Sequence, residues 1–546
     1  MNVSLADLLP LSLDLALCAG ILLTFVADLL SGPKPNRAIG VIPAATFAGA
    51  LIASFQMDLD GSAFGGAYVG DHWSLFFKRA FLVAGLLTTL GSMDHVAERQ
   101  PHRQGEYYLL LMCSVLGMTL LPGARDLVLL IVAFELMGLP LFVLAAFAKT
   151  EDPKGVGKDG PEAALKLYLV GAVSAALTLF GMSFVYGMTG ATRIEAIAQT
   201  PVTPLFVVGV MLVLAGMAFK IGVVPFHMWV PDTYQGAPTP FVAFLSVAPK
   251  LAGFAALATL LMHGFAQVRS EWQPILMALS LVSMVLGNLL AVVQTNVKRM
   301  LAYSGIGHVG YMLMAFISGA GGTTMLLFYF VAYLVTNIGA FQVVEAVERE
   351  SGDCSLAAFR GMWKRSPMLA FAMLIFLLSL AGIPFVVGFW AKLYVFIAAW
   401  QSGLYLLVIL GAVLAVVGLF YYMQVARSMY MTPPDHDRPF RAPPALMLSV
   451  VLCLVGVVAF RAWPRSVLDA ATRATQPFVS ARAALLRCTP TCWSSLPRIE
   501  HSVLRRHADS ARADLTGDDL HAHAAAHVPA PKLHVHASAG QRRTDH

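Results

Sequence analysis

The sequence predicts an all-α polytopic membrane protein of about fourteen transmembrane helices, followed by a C-terminal appendage of another kind. Three observations carry this. The chain of 546 residues is 58% hydrophobic and only 12% charged, where soluble domains carry about 25% charge. Its mean hydropathy is +0.71. Apolar runs of about 20 residues, the length that crosses a bilayer as a helix, recur up to residue 462. Backbone polar groups in hydrocarbon must be satisfied within their own segment, so such runs read as helices.

The first run, 11–31, contains Asp14 and continues past any cleavage-like site, so it reads as a span and no removable leader is expected. Runs at 39–56 and 74–93 follow. The third opens on Lys78 and Arg79, which are expected to reach the headgroups along their alkyl stems. The fourth is 106–122. The fifth, 126–148, holds Glu135 in LIVAFELMGLPLF, near the bilayer midplane at about 1.5 Å rise per residue. The sixth, 163–188, has Lys166 about one turn in, with Glu162 just before it. The seventh, 203–224, contains Lys220 and meets Pro225, with a broken continuation to about 235. Lys250 is central in the eighth, 237–262, directly after Pro249. Then come 274–294, 300–319 with His308, and 323–344. The twelfth, 367–399, is interrupted at Gly382–Pro384 with Lys392 beyond the break; 403–426 and 444–462 complete the set.

Loop charges set the orientation. With the N-terminus outside, the inner loops hold sixteen basic residues, among them Lys34, Arg99, Lys149, Lys298, Arg299, Lys364, Arg365 and Arg427. The opposite loops hold Arg125, Arg193 and Arg269. Both termini are expected on the outer side. The net charge of +6 lies mostly in short loops and the tail, so it is no nucleic-acid signal. Cys18, Cys113 and Cys453 lie in apolar spans and read as packing residues.

The transmembrane part is expected to occupy 1–464. Residues 465–546 are rich in Ala, Arg and His and read as a flexible extension. The imidazoles of HAHAAAH (521–527) and the CTPTC pair Cys488 and Cys492 are only weak hints of metal or disulfide chemistry, and no metal site is assigned.

A lysine at mid-bilayer costs at least about 2.5–3.5 kcal/mol. Snorkelling accounts for charges near span ends, Glu162 and Lys166 included, but not for Glu135, Lys250 and Lys392. Several deep charges in one chain point to an internal polar pathway. Desolvation favours release of an ammonium proton and a nearby carboxylate favours its retention. A glutamate at variable separation from a lysine is therefore an electrostatic switch in a proton relay. Pro225 and Pro384 each remove a backbone hydrogen bond, and freed carbonyls at membrane depth are tolerated where they line a hydrated cavity. Each break has a lysine within about two turns, Lys220 before one and Lys392 after the other. Interrupted spans at matching places in two halves are a mark of inverted repeats.

Residues 219–254 (FKIGVVPFHMWVPDTYQGAPTPFVAFLSVAPKLAGF), 288–312 (NLLAVVQTNVKRMLAYSGIGHVGYM) and 379–396 (SLAGIPFVVGFWAKLYVF) closely resemble the antiporter-like membrane subunits of respiratory complex I. Within that family, SVAPKLAGF and the lysine of the twelfth span look like the subunit N branch. The resemblance covers about 1–462. It implies two inverted five-helix repeats, helices 4–8 and 9–13, with helices 7 and 12 broken. It implies that Glu135 pairs with Lys220, that Lys166 modulates the pair, that Lys250 is the central relay residue, and that Lys392 serves the exit side. His308 is a further possible relay group on its chemistry. The resemblance also implies a bacterial inner (plasma) membrane location, other membrane subunits as partners, antiporter-like paralogues included, and proton movement coupled to NADH–quinone electron transfer in neighbouring subunits. The complex as a whole would use NADH, flavin, iron–sulfur clusters and quinone. No redox or cofactor site is expected in this chain, which has neither clustered cysteine ligands nor a glycine-rich dinucleotide fingerprint beside a strand. The alternatives are a subunit of a multisubunit cation/proton antiporter or of a related membrane-bound hydrogenase; SVAPKLAGF and Lys392 favour the first reading.

Overall fold

The computed structural model describes residues 5–31, 37–57, 60–147, 159–434, 436 and 438–487, nearly all of them helical. The His-rich segments and Cys488 and Cys492 lie outside the described residues. Residues up to Arg482 form one compact unit.

A 3-10 turn, Leu5–Leu11, leads into α1 (Ser12–Ser31), and α2 is Val41–Ser54. A two-stranded antiparallel hairpin, β1 (Gly61–Ala63) and β2 (Tyr68–Gly70), pairs Gly61 with Gly70. Asp71 and Ser74 then form a reciprocal capping box that starts α3 (His72–Arg99). Next are α4 (Gln104–Leu120), α5 (Leu127–Ala145), α6 (Gly160–Thr189) and the short α7 (Ile194–Ile197). The seventh expected span is α8 (Pro204–Ile221) followed, across a break, by α9 (Trp229–Gly236). The eighth is itself interrupted: α10 (Thr239–Leu245) and α11 (Ala248–Thr259), ending in a π-helical turn, Leu260–Gly264. Three long helices follow, α12 (Arg269–Val292), α13 (Val297–Ile317) and α14 (Ala320–Ser351), then the short α15 (Met362–Arg365). The twelfth expected span is split into α16 (Pro367–Ala381) and α17 (Val387–Gln401). The series closes with α18 (Tyr405–Met431), α19 (Pro444–Ala462) and α20 (Pro464–Arg487).

Among the described residues, twelve helices are long and apolar enough to cross a membrane; the second and the split twelfth expected spans are shorter. The Thr239–Gly264 span has all of its apolar window covered by protein, and α13 and α14 have 94% and 89% of theirs. In α1, α6 and α19 the share is 28%, which leaves a broad face for lipid. The three enclosed helices therefore form the centre, and they carry Lys250 and His308.

Two local devices occur twice. Leu127 N–H and Ile194 N–H bond the Thr192 and Arg125 carbonyls, tying the start of α5 to the segment before α7; Val297 N–H and Leu356 N–H bond the Cys354 and Thr295 carbonyls at the start of α13 in the same way. Both broken helices also end alike. At Gly222 (φ 75°) and Gly382 (φ 85°) the chain turns left-handed, a conformation that glycine adopts without a Cβ penalty. Val223 N–H then bonds Ala218 O, and Ile383 N–H bonds Leu378 O.

Residues 465–487 fall in the expected tail but belong to the helix α20. Phe478 lies edge-on to Trp73 and tilted against His263, with ring centroids 4.6 and 4.8 Å away. Thr475 hydrogen-bonds Thr324 at 2.7 Å.

Candidate functional site

Glu135 lies midway along α5, and Lys220 on the last turn of α8. They make no direct ion pair. Both line one cavity of about 20 Å³ with Phe134, Thr178 and Met217, enough for a single water. Lys220 Nζ stands 5.8 and 5.9 Å from the Phe134 and Phe142 ring centres. Gly138, one turn from Glu135, makes room for it: a Cβ there would lie 3.0 Å from Lys220 Nζ.

Lys166 is placed elsewhere. Its ammonium bridges Glu162 Oε1 (2.8 Å) and Asp232 Oδ2 (2.9 Å), and Asp232 also binds Arg299 at 2.6 Å. This partly exposed network joins the start of α6 to α9, beyond the break that follows Lys220.

Lys250 follows the Ser246–Val247 interruption and is 1% exposed. Among the described residues its ammonium has no hydrogen-bonding partner; the Tyr234 ring centre is 5.7 Å away. A buried ammonium without a partner is energetically unfavourable, so packing alone gives no reason for it. Two glycines connect it to its neighbours. One turn along α11, a Cβ on Gly253 would stand 3.7 Å from Lys220 Cβ. On α13, a Cβ on Gly305 would come within 2.9 Å of Lys250 Nζ and 3.1 Å of the Tyr333 hydroxyl. The fold thus passes from Lys220 to Lys250 to the helix that carries His308.

His308 and Lys392 line a second cavity of about 10 Å³, together with Tyr329, Tyr333, Thr336 and Ser379. His308 Nδ1 is 2.6 Å from the Tyr329 hydroxyl and Nε2 is 3.2 Å from that of Tyr422. Tyr422 in turn bonds Ser304. Lys392 Nζ donates to Leu380 O (2.8 Å) and Ala381 O (3.0 Å). The Leu380 carbonyl would meet residue 384 in a continuous helix, and Pro384 has no N–H to give. The break exposes the acceptors and the lysine fills them.

Among the described residues, buried ionic groups outside the set expected from sequence include three pairs. Lys78 does not snorkel: it is fully buried, bonding Asp14 and, at 3.1 Å, Pro10 O. His95 Nδ1 meets Glu345 Oε1 at 2.8 Å, and Lys298 Nζ meets Glu348 Oε1 at 3.2 Å, with Thr239 also on Glu348. Lys298, expected in an inner loop, lies on α13 and is 2% exposed. Hydropathy bounds the spans at 93, 300 and 344, whereas α3, α13 and α14 continue a few residues beyond, carrying His95, Lys298, Glu345 and Glu348 inside. The helical spacing of Glu345 and Glu348 was the available signal. Among the described residues, no group of three or more His, Cys, Asp or Glu side chains converges as for a metal ion.

Residues 124–418 match the family described as NADH:quinone oxidoreductase/Mrp antiporter, TM. NADH-quinone oxidoreductase subunit N of Moorella thermoacetica is 39% identical over 456 residues, covering 82% of this chain and 94% of its own. The subunit N of Heliobacterium modesticaldum is 40% identical, covering 81% and 94%. Among solved structures, a chain of respiratory complex I from Thermus thermophilus with bound aureothin is similar at a TM-score of 0.72 and 32% identity, covering 84% of this chain and 99% of that one. A chain of the Mrp complex from Dietzia sp. has a TM-score of 0.74 at 20% identity, covering 88% and 100%, a likeness of fold alone. The chain is therefore an integral membrane protein of the NADH:quinone oxidoreductase/Mrp antiporter family and belongs to its NADH-quinone oxidoreductase subunit N branch.

Proposed function

We propose that this chain is a proton-translocating membrane subunit of an NADH–quinone oxidoreductase, moving protons through the series Glu135, Lys220, Lys250, His308 and Lys392. Electron transfer from NADH to quinone takes place in neighbouring subunits and drives the charge shifts here. The chain sits among other membrane subunits in the inner membrane, with both termini outside, and its two halves are inverted five-helix repeats. Five is odd, so a unit repeated at once runs the opposite way through the bilayer; the paired turns at Gly222 and Gly382 suit that reading.

The observation that carries the proposal is the buried, unpartnered ammonium of Lys250, adjoining the Lys220 helix on one side and the His308 helix on the other. In the relay, Glu135 holds the proton on Lys220 when the two are close, and retreat of the carboxylate releases it toward Lys250. The sites titrate as a coupled set. His308, with a tyrosine hydroxyl on each ring nitrogen, takes a proton on one nitrogen and gives it from the other. Lys166, held by Glu162 and Asp232, acts on the pair through the field at the end of α8 rather than by contact.

The test uses the assembled complex in sealed vesicles. Glu135→Gln or Lys220→Met should leave assembly and NADH oxidation measurable but sharply reduce proton uptake. Unchanged uptake rules the relay out. Isolation of the chain with only small membrane subunits, together with cation/proton exchange insensitive to quinone inhibitors, would instead favour the antiporter reading.

A further inference from the structure

A cleft of about 470 Å³ opens where the ends of α12 and α18 meet the segment 355–361. It stands apart from the relay cavities. Arg360 and Arg427, both exposed, contribute two guanidinium groups, and Gln294 and Gln424 add side-chain amides. Among the described residues, no carboxylate lines it. Val292 and Val293 make an apolar wall on the side that continues into the spans.

What adjoins the cleft indicates the occupant. Ile275, Val282, Leu289 and Val293 occupy one outward face of α12, each between 41% and 70% exposed. Val413, Val416 and Phe420 do the same on α18, at 57–70%. The two helices pack together, joined by the Tyr421 hydroxyl donating to Asn288 Oδ1 at 3.1 Å. A cationic, amide-lined cup therefore stands at the membrane boundary over two apolar helix faces. We infer that this cleft binds the phosphate of an anionic phospholipid, whose acyl chains lie along the outer faces of α12 and α18.

The chemistry matches on both counts. Arginine pairs bind phosphate oxygens through a planar fork of donors, and basic pockets between helices at the membrane surface suit anionic headgroups. The volume far exceeds the roughly 30 Å³ of one water in the liquid, so a glycerophosphate fits. A free anion has no use for the apolar wall, and a neutral lipid has none for two arginines. Bound lipid would clasp α12 to α18, the helices that supply Asn288, Gly411 and Tyr422 around Tyr311 and His308. The inference rests on the membrane fold and not on the relay, so the two stand or fall separately.

The test uses the whole complex in vesicles of phosphatidylcholine doped with photoactivatable phosphatidylglycerol. After illumination, digestion and mass spectrometry should find adducts on residues 289–299 or 420–432. Unlabelled phosphatidylglycerol should compete, while added phosphatidylcholine and millimolar inorganic phosphate should not. The double variant Arg360→Gln/Arg427→Gln should lose about tenfold or more of this adduct, with adducts elsewhere in the complex and NADH oxidation unchanged as proof of folding. An unchanged adduct in the variant overturns the inference. So does equal competition by phosphatidylcholine, which would make the cleft an apolar groove, or by inorganic phosphate, which would make it a free-anion site. Cross-linking of an acidic segment of a neighbouring subunit into the cleft would overturn it in favour of a protein interface.

Discussion

Alanine at Gly382, with alanine at Gly222 as its control, separates the proposed relay from the scaffold that would hold it. Both glycines are left-handed, so either substitution costs about 1–2 kcal/mol in backbone conformation. What the new methyl meets differs. At Gly222 it would come 3.1 Å from Val230 Cγ2, a packing group. At Gly382 it would come 2.9 Å from Lys392 Cδ, so the lysine stem must move and carry Nζ away from the Leu380 and Ala381 carbonyls. Each carbonyl left without a donor adds about 1–3 kcal/mol. Gly382→Ala should thus destabilise by about 3–8 kcal/mol in all and Gly222→Ala by somewhat less. The decisive quantity is not stability. Displacing a positioned group by about 1 Å costs up to about a hundredfold in rate, so proton uptake per NADH oxidised should fall markedly in Gly382→Ala and stay near normal in Gly222→Ala. Uptake would be measured in vesicles below the melting temperature of both complexes. If both variants lose uptake in proportion to lost stability, Lys392 is a structural plug for a broken helix and the reasoning fails.

Other expectations are simpler. Lys78→Met leaves Asp14 buried without its partner and should destabilise by about 3–5 kcal/mol, while Asp14→Asn added to it should restore much of the loss; thermal melting of the four forms reads this directly. Glu345→Ala strips the partner from His95 Nδ1 and should cost about 1–3 kcal/mol, whereas Glu345→Gln, which keeps an acceptor, should cost less in the same melt. Phe478→Ala removes a buried ring wedged between Trp73 and His263 and should cost about 3–5 kcal/mol. A chain ending after Arg487 should keep normal turnover, while one ending before Pro464 should melt earlier, with NADH oxidation and a melting curve measured on each.

The spans were legible because lipid imposes one requirement on every residue of a segment, and long apolar runs record it. The breaks at Pro225 and at Gly382–Pro384 were legible because glycine and proline change backbone chemistry wherever they stand. Glu135, Lys250 and Lys392 stood out because no apolar environment explains them. Pairings across the chain did not show. Lys78 looks like an interfacial lysine until Asp14, 64 residues earlier, is placed beside it. The partners of Lys392 are backbone carbonyls, which no residue letter records. Lys166 is expected to modulate the Glu135–Lys220 pair, and no residue letter shows that its ammonium is held by Glu162 and Asp232. Glu345 and Glu348 lie past the expected span 323–344 because hydropathy stops at the first charge while the helix runs on to Ser351.

The enclosed helix through Lys250 has a history that the finished fold conceals. Protein covers the whole of its apolar window in the finished fold, yet it must enter the bilayer as a newly made segment before α13 and α14 exist to surround it. During that interval an ammonium group stands in or near hydrocarbon with none of its eventual neighbours present, and its flanking alanines and phenylalanines decide whether the segment inserts at all. Polar substitutions along this helix would therefore act first on biogenesis, lowering the amount of protein made, before any effect on the working enzyme is seen.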